Sequence, residues 1–261
     1  MKKVKEVVGI VVVLLMTLCS CTSESIEKVS MLKKIIEVSL DGTSSTTYLD
    51  YDGNKLVSVD KADKLLKFYY TADLITKVVE LDKNTQHLNT LDYSYSMGQL
   101  TKISSSDDYV INYIHNSDGS VSYEKLTIDD DAEVKNYHGV LYFQNENLVK
   151  DVRTLDESDK GTLVTNSISF QYDNKKNALK NILGFDKLLD YSKMISSNNE
   201  IINTDASSIR YINDDQVVSA VNITNSQYQY NSDGYPTEIV SENILFGSPD
   251  SKHVKSQLFY N

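Results

Sequence analysis

The sequence predicts an all-β fold, a long twisted antiparallel meander of hairpins, on three observations. Short runs alternate apolar and polar residues with a period of two, which places successive side chains on opposite faces of a strand. Many of these runs end in a Tyr-Asp pair or a related aromatic pair, and then in turn residues rich in Asn, Asp, Ser and Gly. The composition suits strands better than disorder, with 18 Tyr but only 10 Gly and 2 Pro in 261 residues.

The stretch Ile168–Ile182 shows the unit most clearly. Ile168, Phe170 and Tyr172 share one strand face, with Ser169 and Gln171 on the other. Asp173 and Asn174 are turn formers, and Ala178–Ile182 is expected to return as the antiparallel partner. Leu91–Ile103 repeats the design around Ser96-Met97-Gly98-Gln99, and Tyr51–Val59 and Tyr70–Val78 share the core of Tyr95–Ile103. Further copies begin at Tyr113, Phe143, Tyr211 and Tyr230, and Leu258–Asn261 looks like half of another. Asn116-Ser117-Asp118-Gly119 and Asn231-Ser232-Asp233-Gly234 are identical turns. Leu32–Leu40 and Thr46–Tyr51, joined by Asp41-Gly42-Thr43-Ser44, form an opening hairpin.

Two irregularities refine this expectation. Leu56 and Val59, like Leu100 and Ile103, are three apart, which a straight strand cannot aim at one face; a bulge or the turn itself should place the leucine. The anchor aromatics are unevenly spaced, which argues against a tightly wound solenoid or propeller and for a meander with variable loops. One segment, near 185–207, breaks the rhythm. There Asp186 is expected to cap a short helix from Lys187 to Ile195, or the chain forms a loop that covers a sheet face or edge, or acts as a ligand-binding lid.

The Tyr-Asp-Asn-Lys-Lys-Asn and Tyr-Asn-Ser-Asp-Gly-Tyr-Pro-Thr runs resemble the tyrosine-aspartate (YD) repeats of Rhs-type proteins. More closely, they resemble uncharacterised surface lipoproteins of Bacteroidota-type bacteria. The resemblance covers roughly 32–261 and departs from the YD pattern at Phe143-Gln144 and Tyr211-Ile212, where the Asp is absent. It carries no catalytic residue set.

The beginning of the chain supplies an address. Lys2, Lys3 and Lys5 precede an apolar core from Val7 to Leu18, shorter than the roughly 20 residues a spanning helix needs. That pattern is a signal peptide. Leu18-Cys19-Ser20-Cys21 then resembles a lipobox, with Cys21 the thiol that accepts the lipid. The expected organisation is a leader over 1–20, a lipidated tether over 21–30 and one β domain over 31–261. This would place the protein in the cell envelope, at the outer membrane, held to the membrane through its N-terminal lipid. Both cysteines fall at the leader boundary, so the β domain has no disulfide and depends on packing and ladder hydrogen bonds.

Composition narrows the function. The whole chain carries a net charge of −11, and removal of 1–20 leaves 23 Lys and Arg against 36 Asp and Glu. So acidic a chain repels phosphate backbones, which argues against nucleic acid as a partner. Each tyrosine can bury ~150–250 Å², a gross gain of roughly 4–6 kcal/mol at ~25 cal/mol per Å², so the tyrosines are expected to be core first. His87, His115, His138 and His253 lack metal-type spacing. Asp107-Asp108, Asp129-Asp130-Asp131 and Asp214-Asp215 lack the EF-hand pattern and read as turn acids. No Gly-rich phosphate loop or Gly-x-Ser-x-Gly elbow is present. The expected function is therefore a non-enzymatic binding or scaffolding β domain, with no cofactor or metal, whose partner is a surface protein or a glycan. The alternative is a glycan- or nutrient-binding lipoprotein with one defined pocket.

Overall fold

The alternating runs fold into sixteen strands. They are β1 (Leu32–Ser39), β2 (Ser44–Asp52), β3 (Lys55–Asp60), β4 (Lys64–Thr71), β5 (Leu74–Asp82), β6 (Leu88–Ser96), β7 (Gln99–Ser105) and β8 (Tyr109–His115). The second half adds β9 (Val121–Asp129), β10 (Ala132–Gln144), β11 (Asn147–Leu155), β12 (Thr162–Lys176), β13 (Asn198–Tyr211), β14 (Val217–Tyr230), β15 (Pro236–Leu245) and β16 (Lys252–Tyr260). The computed structural model describes residues 30–129, 132–156, 161–211, 216–245 and 252–261. Cys21, the leader and most of the tether lie outside the described residues, as do Asp130, Asp131, Asp214 and Asp215.

Each strand pairs antiparallel with its sequence neighbours, and β1 also pairs with β16, so the sheet closes into a barrel. The meander connectivity is as expected; the open, twisted slab is not. The correction has a physical reason, because twist accumulated over sixteen strands brings the two free edges together, where they satisfy each other's backbone groups. Ile35 faces Leu258 and Glu37 faces Ser256 across the seam. At its end the Met31 amide donates to Asn261 Oδ1 (2.9 Å), and the Asn261 amide donates to the Met31 carbonyl (3.2 Å).

Tight turns follow β2, β4, β6 and β10, and a register shift precedes each of them, at Asp50/Tyr51, Tyr69/Tyr70, Ser94/Tyr95 and Tyr142/Phe143. These are the irregularities that the three-residue spacing demands, and Leu56, Leu100 and Ile103 are all buried beside them. Tyrosines at such strand ends then reach the preceding hairpin. Tyr51 donates to the Leu32 carbonyl (2.8 Å), Tyr95 to Ile75 (2.8 Å), Tyr172 to Leu148 (2.6 Å) and Tyr260 to Pro236 (2.8 Å), while the Tyr70 hydroxyl accepts from the Leu56 amide (3.0 Å). In β8 the ring of His115 takes this place, 2.9 Å from the Leu100 carbonyl. Burial pushes the Tyr70 and Tyr172 hydroxyls up to about 12, so these latches stay protonated. Tyr211 is the exception, since it ends β13 at the opposite rim, 42% exposed, and anchors no hairpin.

The break in rhythm is real but differs in place and form. Residues 198–207 belong to β13, and Ala178–Ile182 does not return as a strand. Between β12 and β13 the chain makes two single-turn 3-10 helices, Phe185–Lys187 and Leu189–Tyr191, instead of a helix over 187–195. Asp186 is exposed and pairs with Lys187 (2.8 Å) rather than capping a helix. The tighter turns let Phe185, Leu188 and Leu189 all be buried, which one α-helical stripe would not achieve over so short a length. The segment crosses the barrel end at which β1 begins and β16 ends. The Leu183 amide donates to Asn54 (3.0 Å), the Ser197 amide to Glu146 (3.1 Å), and Asn181 Nδ2 to Ser30 (2.8 Å). Gly184, at φ 70°, passes so close to β5 that a Cβ would lie 2.5 Å from the Asp73 carbonyl. Ile182, Phe185, Leu188, Leu189 and Ile195 thereby join the wall residues in one core, and the segment plugs the barrel.

A second glycine is equally constrained. Gly139 sits opposite Tyr123, whose ring lies across it so that the hydroxyl reaches Asp151 (2.6 Å). A Cβ at Gly139 would meet Tyr123 Cζ and the Val152 carbonyl, each at 2.4 Å. Gly139→Ala is expected to lower stability by about 1–3 kcal/mol, the usual cost of overpacking, read as a fall in the urea midpoint.

Candidate functional site

A barrel of this strand number leaves a lumen too wide for its own side chains to fill, and the plug occupies only one end of it. The candidate site is the space that remains. Alternation decides what faces it. In β2 the buried Leu49 and half-buried Tyr51 point inward while Asp50 and Asp52 are exposed; in β4 Leu66 and Phe68 point inward and Lys67 and Tyr69 outward; in β6 Leu91 and Tyr93 alternate with the exposed Asp92 and Ser94. Ion pairs bridge neighbouring strands on the outer wall, Lys77–Asp92 (3.5 Å), Glu124–Lys135 (2.7 Å) and Lys255–Glu238 (2.8 Å). Further round the barrel Asn166, Asp205 and Ser207 line the lumen and Tyr142, Leu163 and Phe259 are exposed, whereas on β2, β4 and β6 the wall is apolar inside and polar outside. A membrane-spanning barrel has the reverse arrangement, an apolar outer band around a polar interior.

Within the lumen a cavity of about 600 Å³ lies against the plug. Leu49, Leu56, Leu66, Phe68 and Leu258 line it from the wall, and Phe185, Tyr191 and Met194 from the plug. Met194, 44% exposed, borders this space and also a cleft at the outer side of the plug beside Glu146 and Lys187. A more polar cavity of about 550 Å³ borders the same Tyr191, Lys193 and Met194 and extends over Asp151, Arg153, Asn166, Asp190 and Asp205. Arg153 is already engaged there, donating to the Tyr123 hydroxyl (3.2 Å) and stacking over the Tyr137 ring at 4.5 Å. Volumes of roughly 300–1,000 Å³ suit a small-molecule ligand.

Asp190 is the unusual ionisable group. It lies inside the barrel but is exposed to the lumenal space, and it accepts a hydrogen bond from Tyr93 (2.7 Å). Desolvation pushes it up to about 6 despite that bond, with Glu80 adding repulsion. Glu200, half-buried on β13, is raised for the same primary reason, with Asn203 and Lys193 opposing the shift.

The residues singled out from the sequence do not converge on this site. His87 pairs with Asp107 (2.9 Å) and His138 with Asp156 (2.8 Å) on the surface, His115 serves a hairpin latch, and the side chain of His253 lies outside the described residues. Among the described residues no group of three His, Cys, Asp or Glu side chains is placed to hold a metal. The markedly exposed tyrosines Tyr48, Tyr69, Tyr142 and Tyr211 lie on four strands, none adjacent in the sheet. The lumenal residues Asp190, Lys193, Glu200 and Ser226 escaped the sequence reasoning. The signal that marks the strand residues is a change from apolar to polar at successive inward positions of one strand.

No family model matches the sequence, and no curated protein matches it. Solved structures do. A porin-like protein from Bacteroides vulgatus ATCC 8482 superposes with a TM-score of 0.54 at 12% identity, covering 89% of this chain and 99% of the other. A porin-like protein from Bacteroides uniformis ATCC 8492 gives 0.52 at 11% identity, with 88% and 98% covered. The likeness is one of fold.

Because the folded barrel raises the affinity of Asp190 for its proton above that of the unfolded chain, stability from this group is full below about pH 4. It is lost as pH rises through about 6. Asp190→Asn keeps an acceptor for Tyr93 and should flatten this fall, so that its urea midpoint gains on the wild type between pH 4 and 7.

Proposed function

We propose that the protein is a non-enzymatic envelope lipoprotein, tethered through Cys21, that carries an apolar-bodied small molecule in the blind lumen of its barrel. The observation that carries this is the cavity with an apolar floor against the plug, behind a wall whose outer face carries cross-strand ion pairs. Lys and Arg on the lipid face of a spanning barrel cost roughly 2–4 kcal/mol each at mid-depth, and Asp and Glu less, so the ion-paired strands suit water better than lipid. The plug, in turn, opposes a through-channel. The porin-like proteins lend support for the barrel architecture and for an envelope setting, and nothing in their likeness requires conduction here. Of the two functions weighed from sequence, scaffold and pocket-bearing binder, the enclosed cavity favours the second.

The tether also orients the barrel. β1 starts at the plugged end, and the nine residues from Thr22 to Ser30 reach at most ~30 Å. Lipid at Cys21 would hold the plugged end toward the membrane and the lumen's other end away from it, so that ligand arrives from the aqueous side. The resemblance to Bacteroidota-type surface lipoproteins fits this arrangement.

Two experiments test the two halves. An apolar fluorophore should bind one-to-one with enhanced emission, and Met194→Trp, which fills the cavity without burying a charge, should abolish the enhancement while leaving the melting midpoint within a few degrees. Enhancement that survives Met194→Trp places the dye elsewhere and sinks the carrier. Cys21→Ala should eliminate acyl labelling and release the protein from the membrane fraction; labelling that persists removes the lipid assignment.

A further inference from the structure

The cavity against the plug has an ordered polarity. On five strands that are adjacent around the barrel, β14, β15, β16, β1 and β2, the lining changes character in the same direction. Moving away from the plug, β14 presents Tyr228 then Ser226, β15 presents Ile239 then Ser241, and β16 presents Leu258 then Ser256. Likewise β1 passes from Ile35 to Glu37 and β2 from Leu49 to Thr47. Away from the plug a greasy floor thus gives way to a polar collar of four hydroxyl side chains and Glu37.

The collar has hydrogen-bonding capacity to offer. Ser226 and Ser241 face each other in register with their hydroxyls 2.9 Å apart. Two hydroxyls sharing one hydrogen bond keep one O–H and several lone pairs for a third group. The charges lining the same cavity are balanced, with Glu37 and Glu200 against Lys61 and Lys193. Lys193 also favours ionisation of Glu200, so these two charges answer each other before any ligand arrives. A ligand head bearing a full charge would enter a site with no net opposite charge to meet it, and would lose its hydration for little return. A neutral head rich in hydroxyls would instead exchange water for the serine collar.

Building on the carrier function proposed above, we infer that the lumen takes a single-tailed amphiphile tail-first, with a neutral polyol head seated at the Ser226–Ser241–Ser256 collar. The apolar body lies on Leu49, Leu56, Phe68 and Leu258 and on the plug, and the collar supplies donors and acceptors in short, rigid side chains that lose little entropy on binding.

The test holds the tail constant and varies the head. The full folded domain is titrated, below micellar concentrations, with 1-dodecanoylglycerol, dodecanoate and dodecylammonium, by calorimetry and native mass spectrometry. The glycerol ester should bind about tenfold tighter than either ion, the scale of one or two hydrogen bonds gained. The double variant Ser226→Ala, Ser241→Ala should erase most of that preference with the melting midpoint unchanged. Equal binding of all three heads, tighter binding of dodecanoate or dodecylammonium, or a preference that survives the double variant overturns the head-group assignment and leaves the lumenal carrier standing. If none of the three binds, and the fluorophore titration with Met194→Trp is also negative, the assignment falls together with the carrier.

Discussion

The constraint on which everything else depends is the width of a sixteen-strand barrel. A sheet that closes at this number has no exposed edge, but it encloses more space than inward-pointing side chains can occupy. The chain answers by spending the residues between Lys176 and Asn198 on a plug and by hanging large rings from the wall. Tyr93 donates to Asp190 and Tyr191 to Glu80, so wall and plug are bound by polar contacts as well as by the shared apolar core. The fill is incomplete, and the incompleteness is where a ligand can go.

Much of the local structure was legible because hairpin chemistry is local. Met97-Gly98 and Asn231-Ser232-Asp233-Gly234 announce their turns through residues that tolerate positive φ, and Gly98, Gly119 and Gly234 adopt it. The three-residue spacing of Leu100 and Ile103 announced a bulge because strand geometry leaves no other way to bury both. Most of the tyrosines proved to belong to the core or to pack against it, and several also bond the backbone of the neighbouring hairpin.

Closure and the plug were not legible, for different reasons. The pairing of β1 with β16 joins residues more than two hundred positions apart, and an edge strand waiting for its partner has the same alternating pattern as one that never finds it. In the plug, Leu188, Leu189 and Met194 mimic the stripe of a short helix, yet the walls of the barrel bury apolar residues from every side and remove any advantage of a single face. The lumen left a fainter trace. β12 changes from Phe170 and Ile168 to Asn166 along one inward face, and a reader expecting an open slab takes such a change for a fraying strand end.

The seam between first and last strands sets the order in which the molecule can come into being. β16 is the final nine-residue strand, and without it both β1 and β15 keep an unpaired row of amides and carbonyls. Closure must therefore wait for β16, a high-contact-order step that makes completion slow compared with the local hairpins. A chain lacking β16 would offer two sticky borders to its neighbours, so solubility of the folded barrel hangs on the pairing of its two most sequence-distant strands.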